Sequence, residues 1–398
     1  MKGIGVISEW NPFHNGHRYL LNTIHQQFPE ACVIGIMSGN FVQRGEPAIL
    51  SKWARARLAL ENGCDVVVEL PMWYATAPAD DFATGGVMAA SALGCSSLAF
   101  GVESPNFSDY VALAAWVVKH PDWQKEMPAT VNKGQATLQA LATLPQQIPE
   151  LKGLSIDFDG VSNTLLAFSY AKASIKLHAG LEFLPIERQG AKHQNHTLTA
   201  AFTSSTAIRQ GIETLSSVKL QQKLKEVVPK ETLIAIRQAT AFPNGEQWYP
   251  YVRYQLLSQS EETLRGYYQM YEGIEHVFKR VAKQALTLGE FMEQVTNRQW
   301  TIGRVKRALL MVALGVTEAE MVSLRLGRQP LLLLGATQKG RHYLKNQQEL
   351  ANFPIISRVD HQAEDTWAMW LRGDRIYQTF LNPDAGEQNF GHPPLFVR

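Results

Sequence analysis

The chain has 398 residues, 45% of them hydrophobic and 19% charged, with a formal net charge of +2. Such a length can bury a full core, at the usual prior of roughly 100–200 residues per domain suggesting two or three domains, and the balance is ordinary for a soluble globular protein. No stretch approaches the roughly 18 apolar residues that cross a bilayer and "MKGIGVISEWNP" lacks a signal-peptide pattern, so a cytoplasmic protein with no membrane partner is expected.

In chain order, the first two hundred residues alternate short apolar runs with amphipathic segments. "GIGVIS" (3–8), "CVIGIMS" (32–38), "DVVVELP" (65–71), "SLAFGVES" (97–104) and "EFLPIER" (182–188) read as buried parallel strands. Between them "HRYLLNTIHQQF", "SKWARARLALEN", "DFATGGVMAASAL" and "SNTLLAFSYAKASIKLHA" carry helical spacing, some behind a capping Ser or Asp. This order predicts a doubly wound parallel α/β sheet, with ligands outside the carboxyl ends of its strands. Cys32, Cys64 and Cys95 have neither knuckle nor redox spacing and read as reduced core thiols.

After about residue 205 helical periods dominate, apart from a strand-like aromatic stretch, "EQWYPYVRYQLL", and a smaller α/β piece in "PLLLLGATQKGRHYLKN" and "FPIISRV". The expected division is an activating α/β domain over 1–205 and a mostly helical domain over 206–398.

"NPFHNGH" (11–17) follows the first strand and opens the first helix. Pro12 fixes a turn, Gly16 lets backbone approach a ligand, and free N–H groups at a helix start favour an anion. His14 and His17, three apart, share one face and can both donate to the same oxyanion. A metal site is the weaker reading, because no carboxylate or third histidine lies nearby in sequence. "SSTAIR" (204–209) places Ser204, Ser205 and Thr206 at another helix start with the Arg209 guanidinium behind them.

The first motif resembles the Gly-x-Phe-x-Pro-x-His-x-Gly-His signature of the adenylyl-transferring nucleotidyltransferases, with Ser8 and Trp10 standing where that form has Gly and Phe. The second resembles their Ser-Ser-Thr-x-x-Arg element, which holds ATP phosphates. Over nearly the whole chain, "ISEWNPFHNGH", "SGNFVQRGEPAI", "ELP", "FGVES", "SNTLLAFSYAKA", "LPIERQG" and "SSTAIR" occur in the order found in the bacterial tRNA(Met) cytidine acetate ligases. The resemblance implies a Rossmann-like nucleotidyltransferase fold and two steps. Acetate and ATP give acetyl-adenylate and pyrophosphate, then the acetyl group passes to N4 of the wobble cytidine, position 34, of elongator tRNA(Met). It implies catalytic roles for His14 and His17. It also implies an ATP site over Ile7, Ser8, Glu9, Trp10, Asn11, Pro12, Phe13, His14, Asn15, Gly16, His17, Arg18, Tyr19 and Leu20, with Gly101, Asn163 and Arg188.

Each of the last three also has a plainer reading: a turn glycine, a helix cap and a surface arginine. Gln43, Arg44, Glu46 and Lys52 follow the second strand and are expected to shape the acetate pocket or receive the cytidine. Asp157 and Asp159 in "SIDFDG" and His193 and His196 in "KHQNH" read better as polar loops than as metal ligands, so no protein-held metal is expected and Mg²⁺ would arrive on the ATP phosphates. Between 298 and 345 nine basic residues face two acidic ones, which fits phosphate-backbone docking and points to Arg304, Lys306 and Arg307 for tRNA. The aromatics of "WYPYVRY" read as core before base-stacking. Two rival functions remain: an adenylyltransferase acting on a small phosphorylated metabolite, and a non-catalytic RNA-binding protein on the same fold.

Overall fold

One eight-stranded sheet organises the computed structural model, which describes residues 1–398 apart from 104–105, 124–134, 159–161, 189–202, 328, 348–353, 361–366 and 398. Its strands are β1 (Gly3–Ser8), β2 (Cys32–Ser38), β3 (Val66–Leu70), β4 (Cys95–Val102), β5 (Glu182–Glu187), β6 (Leu331–Thr337), β7 (Ile355–Ile356) and β8 (Leu395–Val397). The order is β5-β4-β1-β2-β3-β6-β7, with β8 also on β6. The five strands from β1 to β5 pair in parallel, and β6 runs antiparallel to β3. β2 and β3 are buried at every residue because helices cover both faces, so apolar residues fill them apart from Ser38 and the ion-paired Glu69.

Helices α1 (Asn15–Gln27), α2 (Lys52–Glu61), α3 (Met72–Ala75), α4 (Ala79–Ala92), α5 (Phe107–Lys119), α6 (Gln135–Gln147) and α7 (Ser162–Lys176) connect the parallel strands. The chain winds from β1 through β2 to β3, then returns to the far side of β1 for β4 and β5. β1 and β4 thus flank the switch point, where an open α/β sheet forms its crevice. His14 follows β1, Gly101 sits near the end of β4 and Arg188 follows β5, so all three meet there.

The helical section comprises α8 (Ser205–Thr214), α9 (Ser217–Val227), α10 (Lys230–Gln238), α11 (Gly245–Ser258), α12 (Glu261–Arg265), α13 (Ile274–Ala282), α14 (Leu288–Val295), α15 (Ile302–Leu314) and α16 (Glu318–Leu326). The strand-like "EQWYPYVRYQLL" is helix α11, a correction to the sequence reading. Trp248, Tyr249, Val252 and Leu256 are its buried residues, a helical spacing, and Asn244 caps it through Glu246 N–H at 3.0 Å. Aromatic composition imitates a strand, but here the period decides. The smaller α/β piece, β6 with α17 (Gln338–Gln347) and β7, extends the first sheet rather than forming one of its own.

A buried ionic network ties the C-terminal segment to the sheet. Lys52 Nζ lies 2.6 Å from Asp374 and 2.9 Å from Glu69, all essentially without solvent contact. Asn40 donates to Asp374 at 2.7 Å, and Trp370 Nε1 to Glu69 at 2.6 Å. Burial opposes the Lys52 ammonium, but the two facing carboxylates outweigh it and raise its pKa. The expectation that Lys52 shapes a ligand pocket is therefore overturned: the first turn of α2 carries it inward, and its charge is matched there. Arg55, also fully buried, donates to the carbonyls of Leu50, Glu9, Ser38 and Gly39, bridging the ends of β1 and β2. The three cysteines are free and buried, as expected.

Removing the ammonium of this buried cluster strands the two carboxylates that face it. In urea unfolding, Lys52→Met is expected to lose about 3–5 kcal/mol. Lys2→Ala, which breaks an exposed pair with Glu182, is expected to change stability by under about 1 kcal/mol.

Candidate nucleotide site

The start of α1 is built by reciprocal capping. Gly16 N–H donates to His14 Nδ1 at 3.1 Å, and His14 N–H donates to His17 Nδ1 at 3.2 Å. The rings stack, 3.7 Å between centroids and 20° apart, with His17 also against Phe13. A ring whose Nδ1 accepts, and which is neutral, carries its hydrogen on Nε2. Both histidines are held neutral: burial, then the Arg188 charge, lowers His14 to about 3, and burial, then His14 and Arg188, lowers His17 well below its usual value. The pair is thus two stacked Nε2–H donors whose orientation the backbone has set.

Both rings line two adjoining cavities. One, about 130 Å³, is walled by Val6, Ile7, Ser8, Gly16, Tyr19, Leu20, Phe100, Gly101, Asn163, Leu166, Tyr170, Ile186, Glu187, Arg188 and Thr203. The other, about 420 Å³, adds Glu9, Trp10, Gln43, Arg44, Glu46, Ser204, Ser205, Thr206 and Arg209. The first is largely apolar and bounded by rings, while the second gathers Arg44, Arg188 and Arg209 around hydroxyls. One cleft therefore offers a slot for a flat aromatic group beside a cationic, donor-rich chamber.

Gly101 leaves room for Arg188: a Cβ there would sit 3.2 Å from the arginine Cγ. Asn163 donates to Glu103 at 2.6 Å, and the same carboxylate receives Thr164 N–H at 3.2 Å, so Glu103 anchors the start of α7. Within the segment 7–20, five expected residues lie off both cavity walls, for local reasons. Asn11 accepts from Ile49 N–H at 2.9 Å, and its carbonyl receives Arg209 at 2.7 Å. The Pro12 carbonyl accepts from Ser205, Phe13 is core, Asn15 donates to the Glu226 carbonyl and Arg18 faces solvent. The Trp10 indole is buried too, lodged against Gly35 of β2. Ser204 caps α8 through Ala207 N–H at 3.2 Å. The two motifs, about 190 residues apart, thus dock on one another.

Sequence reading missed Phe100, Leu166, Tyr170 and Glu103. Asn163, Leu166 and Tyr170 follow at i, i+3 and i+7, a helical face that "SNTLLAFSYAKA" already displays. Glu103 has no such local signal. Of the basic residues, Arg304 pairs with Glu272 at 2.9 Å over the Tyr271 ring, and Lys306 pairs with Glu46 at the cleft rather than facing outward. Arg307 joins Arg44 and Arg298 along an open groove of about 650 Å³ beside the cleft. Asp159, His193 and His196 lie outside the described residues, and among the described residues no cluster could hold a metal ion. No helix among them is long and apolar enough to cross a membrane.

The lowered histidines make a pH prediction. Unfolded, these rings take up protons near pH 6.5, whereas folded His14 resists until about 3. The unfolded state binds more protons in that window, so stability falls as pH drops through it. Urea unfolding at stepped pH should show a shallower acid loss in His17→Asn than in the unaltered protein; parallel curves would contradict the assignment.

Comparison with known proteins agrees with this geometry. Residues 1–391 match the HIGH Nucleotidyl Transferase family. The tRNA(Met) cytidine acetate ligase of Latilactobacillus sakei is 38% identical over 400 residues, covering 100% of this chain and 98% of the relative; that of Limosilactobacillus reuteri is 34% identical with full coverage of both. The crystal structure of Thermotoga maritima TmcAL bound with alpha-thio ATP superimposes with a TM-score of 0.85 at 27% identity, covering 100% of both chains. With its two motifs docked at the sheet's switch point and its whole length matched, the chain belongs to the HIGH nucleotidyl transferase family and, within it, to the tRNA(Met) cytidine acetate ligases.

Proposed function

We propose that the protein is an ATP-dependent ligase: it condenses acetate with ATP to acetyl-adenylate, then acetylates N4 of the wobble cytidine, position 34, of elongator tRNA(Met). The observation that carries this reading is the pair of backbone-oriented imidazole donors facing a chamber of three arginines, in a chain that matches the acetate ligases over its full length. The adenine and ribose occupy the ring-lined slot between Tyr170 and Gly101, and the phosphates lie over His14, His17 and the start of α8. Mg²⁺ arrives on those phosphates. An acetate oxygen attacks the α-phosphorus in line, and the charge that shifts onto pyrophosphate meets the two Nε2–H groups, Arg209 and the helix start. Because the imidazoles are neutral, they act as fixed donors and not as acids.

The exocyclic amine then attacks the acetyl carbonyl, with no protein nucleophile. Neutral cytosine amines are weak nucleophiles, so placement is the larger part of this step. The groove of Arg44, Arg298 and Arg307 opens onto the cleft at Gln43 and Arg44 and suits a phosphate backbone. On this reading residues 1–205 carry most of the acetate-activating site and 206–398 dock tRNA, with Thr206 and Arg209 reaching into the cleft and β6 to β8 returning to the first sheet. Such an enzyme works in the cytoplasm, where its tRNA is. Full-length similarity to named acetate ligases favours this over a metabolite adenylyltransferase or a non-catalytic RNA binder.

Acetate-dependent exchange of labelled pyrophosphate into ATP is the direct test. His17→Ala is expected to lower it at least about 100-fold, and exchange with phosphate esters in place of acetate would contradict the reading. Arg298→Ala should weaken tRNA binding and reduce the slope of log affinity against log salt by about one; an unchanged slope would remove the groove from the docking path.

A further inference from the structure

The turn Gln43–Glu46 stands where three cavities meet. Gln43 and Arg44 are common to the cleft and the arginine groove. Glu46, Thr206 and Arg209 are common to the cleft and a further cavity of about 570 Å³, walled on its far side by Trp248 and Lys306. The turn is fixed: Val42 N–H donates to the Glu46 carbonyl at 2.9 Å, Gly45 N–H to the Val42 carbonyl at 2.8 Å, and Phe41 bridges Pro47 across its base. Its tip leans on the backbone of α15. Gly45 has φ +75°, and a Cβ there would lie 2.8 Å from Arg307 Cα, so only glycine fits. One turn thus sets the carboxylate of Glu46 against Lys306, the α15 residue beside Arg307.

We propose that Glu46 accepts a hydrogen bond from the exocyclic amine of the incoming cytosine and so orients it for acetyl transfer, with Lys306 as the positioning residue for that carboxylate. This rests on the ligase reading and deepens it. A carboxylate is the characteristic side-chain acceptor for N4 of cytosine. The cations that line these chambers, Arg44, Arg188, Arg209 and Lys306, have no acceptor to offer an N–H. Among the described residues lining the 420 Å³ chamber, two carboxylates occur, Glu9 and Glu46. Glu9 receives Gln43 N–H at 2.9 Å and lies on the nucleotide side alone, whereas Glu46 faces both chambers. Burial raises the Glu46 pKa, but Lys306, with Arg209 and Arg44 behind it, outweighs that and keeps it anionic.

In the step itself the N4 lone pair forms a bond to the acetyl carbon, and the bond from that carbon to the phosphate oxygen breaks with its electron pair leaving on AMP. One amine hydrogen stays on the product amide, held by Glu46, and the other passes as a proton to the departing phosphate. A uracil in the same place would present its O4 acceptor to the carboxylate, so the contact also discriminates between the two pyrimidines.

The test separates the two half-reactions in the full-length protein. Single-turnover transfer from preformed acetyl-adenylate to elongator tRNA(Met) should fall about 100-fold in E46Q, far more than acetate-dependent pyrophosphate exchange does. K306M should lower the same step and K306R should restore most of it. The unaltered protein should bind tRNA with C34 more tightly than the same tRNA with U34, and E46Q should narrow that gap. Undiminished transfer in E46Q, an equal fall in both half-reactions, an unaltered C34 preference, or K306R no better than K306M overturns the inference. Absence of acetate-dependent exchange in the unaltered protein would instead remove the ligase reading on which it rests.

Discussion

The geometry of the cleft depends on two backbone N–H groups that end on imidazole nitrogens. Because Gly16 and His14 donate into the rings of His14 and His17, helix α1 is capped and both tautomers are set by one pair of contacts. A histidine that caps with Nδ1 presents Nε2–H on its other edge, so the requirement for a sound helix start and the requirement for anion donors are met together. Stacking at 3.7 Å beside the Arg188 charge would be costly for imidazolium ions, and it costs little for neutral rings. The site therefore does not rely on a charge that pH could remove.

What holds this arrangement lies beneath it. Arg55 gathers the carbonyls that follow β1 and β2, including that of Glu9 in the signature loop, and the Lys52 cluster fastens the helix Ala368–Ile376 against the end of β3. Replacing such a network by apolar groups often costs nothing in stability, but removing one member does. Its geometric effect is plain: residues more than 300 positions apart fix the carboxyl ends of β2 and β3, and Arg55 ties the end of β1 to them, where the cleft opens. The antiparallel return of β6 beside β3 has the same consequence, since it draws the chain beyond the helical section back onto the sheet. Through Gly45 and Lys306, α15 then touches the cleft directly, so the helical section forms part of its wall.

Most of the parallel sheet was legible because a strand buried on both faces is a nearly continuous apolar run, as in "CVIGIMS" and "VVVEL", whereas the edge strand β5, expected as buried, is largely exposed or half-buried. His14, His17 and the "SSTAIR" helix were legible through spacing and resemblance, and Asn163 came with them. The misreadings have physical causes. "EQWYPYVRYQLL" looked like a strand because aromatic residues favour both strands and packed helices, and only the burial of Trp248, Val252 and Leu256 on one face settles the period. Lys52 looked like a site residue because nothing near it in sequence announces Asp374, 322 positions on. The contact of Lys306 with Glu46 was invisible because the two lie 260 positions apart. Side chains whose role is set by a distant partner leave no local trace, whereas those set by helix or strand period do.

The most direct measurement is the protonation state of the two imidazoles, read by ¹⁵N NMR of the histidine rings with and without ATP. Both rings are expected to be neutral Nε2–H tautomers from pH 8 down to pH 5, and both Nε2–H signals are expected to move when ATP is added. Imidazolium signals at neutral pH, an Nδ1–H tautomer at either ring, or rings that do not respond to ATP would contradict this assignment.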